Sequence, residues 1–200
     1  MAHREWRKSS GATGAAATDG GSASDVRRGR QRPTSRHPGL VDSEGRLGGP
    51  LTVYLYAPAI GVKQQAFGAA LSFEISLSRR VAELIILTVA NDVQSEFELA
   101  AHEPLGFAAG LSHDQLDALR DQREPELTED VERIAWQTTV HLLETGDLDD
   151  AAYANAVAVL GERGLVELTT LVGYYRLVAL QLRVFRIGRA AYRGAPLPSR

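Results

Sequence analysis

Ten consecutive residues, Val81-Ala-Glu-Leu-Ile-Ile-Leu-Thr-Val-Ala90, are apolar on every helical face except at Glu83 and Thr88. A helix that is hydrophobic all round offers no face to water and has to be enclosed by other elements. The rest of the chain must therefore supply its jacket. Burying the isolated carboxylate of Glu83 is costly, so it must be protonated, paired or hydrogen-bonded where it sits. Two readings compete for it. It is either a structural carboxylate, capping a neighbouring helix or pairing with Arg79 or Arg80, or a functional acid.

The next helical segment, Ser95-Glu-Phe-Glu-Leu-Ala-Ala-His102, places Glu98 and His102 four apart on one face. On the surface such a pair contributes only about 0.3–0.5 kcal/mol. Beside a buried acid it is the raw material of proton transfer.

Helical signals continue on both sides. Leu51 to about Ala57 and Val62 to Leu71 read as short helices around Pro58. Ser78 is placed to cap a helix to about Asn91, and another runs from about Gln94 to Ala109, with Gly110 as its left-handed terminator. Ser112-x-x-Gln115 has capping-box spacing before a helix to about Asp121. Thr128 is the expected cap of a helix to Thr145, stopped by Gly146, and Asp149 that of a helix from Asp150 to Leu160, stopped by Gly161. A last apolar helix is predicted from about Leu165 to Tyr192. No alternating pattern exceeds four residues and no hairpin signal appears, so the fold class is all-α.

Residues 1–47 are rich in Gly, Ala, Ser, Thr and Arg and poor in large apolar side chains, which predicts a disordered tail before a helical domain over 48–193. The net charge of -3 conceals an asymmetry: residues 1–50 hold nine basic and five acidic side chains, and 51–200 hold thirteen and twenty. The body is acidic, which disfavours nucleic acid and anionic membrane as partners. Arginine scattered among Gly and Ser, without interleaved aromatics, reads as a plain tail. No stretch approaches the roughly 18 apolar residues of a membrane span, because Arg176 and Arg183 interrupt the C-terminal run. No apolar region follows the first charges, so no secretory signal is expected and the expected location is the cytoplasm.

The chain has no cysteine, which excludes disulfides, thiolate catalysis, iron–sulfur clusters and cysteine-bound zinc. Neither H-E-x-x-H nor a paired E-x-x-H motif occurs, so no metal is expected. Gly161-Glu-Arg-Gly164 reads as a helix–helix turn, not a phosphate loop. His141 reads as a core or interface histidine, His113 as a solvated one, and His3 and His37 fall in the tail.

Arg80-Val-Ala-Glu-Leu-Ile-Ile-Leu-Thr-Val-Ala90, Phe97-Glu-Leu-Ala-Ala-His102 and Ala109-Gly-Leu-Ser112 together resemble the carboxymuconolactone decarboxylase family, which includes the alkyl hydroperoxidase D-like proteins. The similarity continues at Tyr153, Leu160-Gly161, Val166-Glu-Leu168 and Val172-Gly-Tyr-Tyr175, spanning roughly residues 49–190. The resemblance implies an oligomeric alkyl hydroperoxidase D-like fold, with trimers or hexamers common. It also implies proton-relay roles for Glu83 and His102. Peroxidase members carry a C-x-x-C pair where this chain has Ser95 and Glu98, so no thiol is present to be oxidised and peroxidase activity is not expected. Related chains often have Trp where this one has Leu99 and Asn where it has Arg183, so the substrate does not carry over.

The decarboxylase branch is the closer match. Its implied activity is cofactor-independent decarboxylation of a small carboxylated lactone or related ring, with Glu83, Glu98 and His102 as catalytic residues. Ser95 and Leu99 are candidates for the substrate pocket, and Arg79, Arg80 and Arg176 for holding a substrate carboxylate. No cofactor is required, because the substrate's conjugated carbonyl can accept the electrons. Competing readings are another acid–base reaction, such as isomerisation or hydration in secondary metabolism, and a non-catalytic helical oligomer. The apolar length of residues 165–187 also points to a homo-oligomer.

Overall fold

A computed structural model describes residues 47–192 and 194–199. The expectation for the N-terminal tail falls, up to residue 46, outside them. Seven helices follow in order: α1 (Pro50–Tyr54), α2 (Pro58–Phe73), α3 (Arg79–Asp92), α4 (Glu96–Ala108), α5 (His113–Arg120), α6 (Asp130–Thr145) and α7 (Asp150–Val184). A 3-10 turn, Arg189–Ala191, follows. No strand occurs among the described residues, and none of their helices is long and apolar enough to cross a membrane.

The apolar run forms α3, and every residue from Val81 to Asn91 is buried. Its jacket is α4, α6 and α7, with α5 at one end. Val81, Ile85, Ile86 and Val89 pack with Leu168, Leu171, Val172 and Tyr175 of α7, while Leu84 and Leu87 face Leu111, Leu116 and Leu119. Close approach of α4 depends on Gly106. A Cβ there would stand 2.9 Å from Leu87 Cδ1 and 3.0 Å from Leu111 Cδ1, and 3.7 Å from the Cβ of Glu83.

Local signals account for most boundaries. The Ser78 side chain accepts from the Val81 N–H, Ser112 and Gln115 form a complete capping box, and Asp149 accepts from the Ala152 N–H. Gly110 and Gly146 adopt positive φ after α4 and α6.

Three expectations are corrected. Pro58 opens α2 instead of separating two helices; its missing N–H is no loss at the first helical position. Glu129, not Thr128, is the N-cap of α6, and no side-chain cap bond forms there. The stop expected at Gly161 is present as a break: with φ 71° and ψ 165° it separates two helical stretches within α7. Finally, α7 stops at Val184, not Tyr192. Arg186 takes a left-handed φ of 59°. The Ile187 N–H donates to the Leu182 carbonyl at 2.8 Å and the Arg186 N–H to that of Arg183 at 3.2 Å, the paired bonds of a Schellman stop. The residues beyond turn back over α4, where the Tyr192 ring meets Phe97 edge-on at 5.9 Å.

Candidate active site

Glu83 projects from the second turn of α3, and Glu98 and His102 from successive turns of α4. The structure brings the three together. His102 Nδ1 lies 2.8 Å from Glu83 Oε2, and its Nε2 lies 3.3 Å from Glu98 Oε2. Arg79, one turn before Glu83 on α3, closes the far end with an ion pair of 2.5 Å to Glu83 Oε1. The order is Arg79–Glu83–His102–Glu98. Glu83 is fully buried, and Glu98 and His102 are 4% and 6% exposed. Tyr175 of α7 stands edge-on to the imidazole, ring centroids 5.1 Å apart.

Two carboxylates on one imidazole settle its charge. Burial pushes the His102 ring toward neutrality, but the charge and hydrogen bond of Glu83, and then those of Glu98, outweigh it and raise the pKa to about 9. At neutral pH the ring is therefore an imidazolium, donating from Nδ1 to Glu83 and facing Glu98 with Nε2–H. The longer contact is the looser one, so the Nε2 proton is the one available to a reacting atom.

The other predicted site residues take different places. Arg80 points away from the relay: its Nε donates to Glu132 Oε1 at 2.6 Å and its Nη2 to Glu132 Oε2 at 3.2 Å and Gln115 Oε1 at 3.1 Å, with Nη1 on the Gly110 carbonyl. These bonds tie α3 to α5 and α6. Ser95 is the buried N-cap residue of α4, without a side-chain cap bond. Leu99 is partly buried against the Leu84–Leu87–Leu111 cluster. Arg176 lies exposed on α7, where with Val93, Leu177, Leu180 and Arg183 it lines a surface depression of about 330 Å³. His113 begins α5 with its ring against Phe107, and His141 is half-buried on α6. No cluster among the described residues presents three or more ligands for a metal ion.

Sequence reasoning missed Gly106, whose bare backbone lets Glu83 reach His102, and the contact of Tyr175 with the imidazole. A glycine in the interior of a predicted helix, one turn after His102, was the available signal.

No protein-family model and no curated protein matches the chain. Among solved structures, the crystal structure of the debrominase Bmp8, a cysteine-to-alanine variant in complex with 2,3,4-tribromopyrrole, superposes with a TM-score of 0.60. The match covers 72% of this chain and 77% of that one, at 9% sequence identity. The chain has the alkyl hydroperoxidase D-like helical fold. At that identity the likeness extends to the fold alone, and the chemistry has to be argued from this chain's own residues.

Proposed function

We propose that this protein is a cofactor-independent lyase that decarboxylates a small carboxylated lactone or related ring compound, using Glu83, Glu98 and His102 as its acid–base machinery. The observation that supports this best is the buried His102 ring held between two carboxylates, which raise its pKa to about 9. A histidine kept protonated at neutral pH, with one N–H loosely held, is suited to protonating a carbanion. When the C–CO2 bond breaks, its electron pair passes into the conjugated ring carbonyl and CO2 leaves. His102 then delivers its Nε2 proton to carbon, Glu83 holds the opposite N–H and the ring orientation, and solvent restores the proton.

A likeness in fold to a debrominase fits an enzyme that converts small molecules. A thiol-based route is closed to this chain, which has no cysteine. The protein is also proposed to act as a homo-oligomer, because Leu177, Leu180 and Val184 leave an apolar stripe exposed along α7. Release of CO2 from carboxylated lactones by wild-type protein, and its loss in His102→Gln, tests the proposal. Wild-type turnover that survives His102→Gln would remove the relay from the chemistry.

A further inference from the structure

Glu83 serves two cations with one carboxylate. Its Oε2 lies 2.8 Å from His102 Nδ1, and its Oε1, which has no hydrogen bond, meets Arg79 Nη2 as an ion pair at 2.5 Å. The two cations are unlike. The imidazole is enclosed and titrates; the Arg79 side chain is 39% exposed, and a guanidinium keeps its charge at every accessible pH.

Along the line Arg79–Glu83–His102–Glu98 the charges alternate and cancel while the imidazole is protonated. Without Arg79, the three buried groups would hold one uncompensated negative charge. That excess would bind the imidazolium proton more tightly and make the ring a poorer acid. A line of two carboxylates around one histidine therefore needs a counterweight if it is to release its proton.

The neighbouring elements offer no other cation for this task. Arg80 of α3 is paired with Glu132, and Arg120 of α5 with Glu103 and Asp117. From α7 the ring faces Tyr175, at 5.1 Å between centroids. Burial, then the charges of Glu98 and Glu83, push the Tyr175 phenol well up, and the charge of Arg79 opposes them. The field of Arg79 thus reaches the side chain resting on the imidazole, and it acts there toward release of a proton.

Resting on the lyase reading above, we propose that Arg79 is a positioning residue: it fixes Glu83 Oε1 and offsets the carboxylate's charge, so that Glu83 orients the His102 ring while the imidazolium stays acidic enough to protonate carbon. Arg79 acts only through Glu83 and its field.

The titration of His102, followed by NMR of the imidazole in the full-length protein, reads this without any substrate. Arg79→Gln should raise the His102 pKa above its value of about 9, by about 0.5 to 1, as for one partly screened charge beyond the first contact. Arg79→Lys, which keeps the charge, should titrate like the wild type. The alkaline limb of lactone decarboxylation should move up with the pKa in Arg79→Gln, and turnover near neutral pH should fall by about 3- to 10-fold, because a weaker acid transfers its proton more slowly. Should the glutamine variant not fold, Arg79→Met repeats the measurement. A purely structural Arg79 would lower the melting temperature and leave the titration in place. A His102 pKa that stays or falls in Arg79→Gln overturns the proposal, as does a lysine variant shifted as far as the glutamine one. Neutral-pH turnover of a reacting lactone unchanged in Arg79→Gln overturns it too. If the pKa rises as expected but the wild type releases no CO2 from carboxylated lactones, the hold of Arg79 on the relay stands and the lyase reading falls.

Discussion

Arg79 and Arg80 are neighbours at the start of α3, and each pairs with a buried carboxylate. Arg79 leads into the relay, Glu83–His102–Glu98; Arg80 anchors a clamp on Glu132, Gln115 and the Gly110 carbonyl. The relay joins the consecutive helices α3 and α4 and the clamp joins α3 to α6, and both bury a carboxylate that would be costly without its cation. They differ in the cation. A guanidinium stays charged throughout the accessible pH range, so the clamp can only hold. An imidazole between two carboxylates titrates at about 9 and can give up a proton. Similar networks diverge into structure and chemistry through one side chain.

The comparison breaks most sharply at His102. Replacing it with Gln should cut turnover of a reacting carboxylated lactone by about 10²–10⁴-fold, the usual range for general acid–base catalysis, with circular dichroism unchanged. Glu83→Gln should have the next largest effect, roughly 10- to 100-fold, because a neutral amide no longer favours the imidazolium. Its His102 pKa, followed by NMR, should fall; a histidine still near 9 would mean that Glu98 alone suffices.

The clamp should answer in the other observable. Glu132→Gln should lower stability to denaturant by somewhat less than the roughly 3–5 kcal/mol of a fully buried pair, since Arg80 is one-quarter exposed. Activity at a temperature where the variant is folded should change less than about threefold, below the range of a lost acid–base group. A large loss of turnover there would erase the distinction between the clusters.

Titration separates them again. The folded pKa of His102 is raised from 6.5 to about 9, so its ionic contribution to stability is complete below about pH 6.5 and is lost as pH rises through 9. The wild-type melting temperature should fall across that interval, and that of His102→Gln should fall less. The lyase activity should decline over the same limb. The smallest effect is expected at His113, which packs on Phe107 outside both clusters; His113→Gln should leave turnover within about twofold, because no proton passes through it.

Much of this architecture is legible residue by residue. A helix apolar on all faces has to be central, and α3 is; a serine, a capping box and an aspartate at the right offsets set where α3, α5 and α7 begin. The stop of α7 was illegible, because an arginine occupies the left-handed position that glycine usually marks. Thr128 offered a capping side chain one residue from where the chain turns into helix, and the register of α6 passed it by.

For the site, the sequence by itself determined the chemical inventory: no thiol, an acid within an apolar helix, and an acid and a histidine on one face of the next. Those follow from composition and helical period, which are local properties. Only the tertiary structure decided the pairings. Whether Arg79 or Arg80 meets Glu83 depends on which side of α3 faces α6, and whether Glu83 reaches His102 depends on how closely Gly106 lets α4 approach. Hydrogen-bond satisfaction is a property of the packed whole, and no window of sequence contains it.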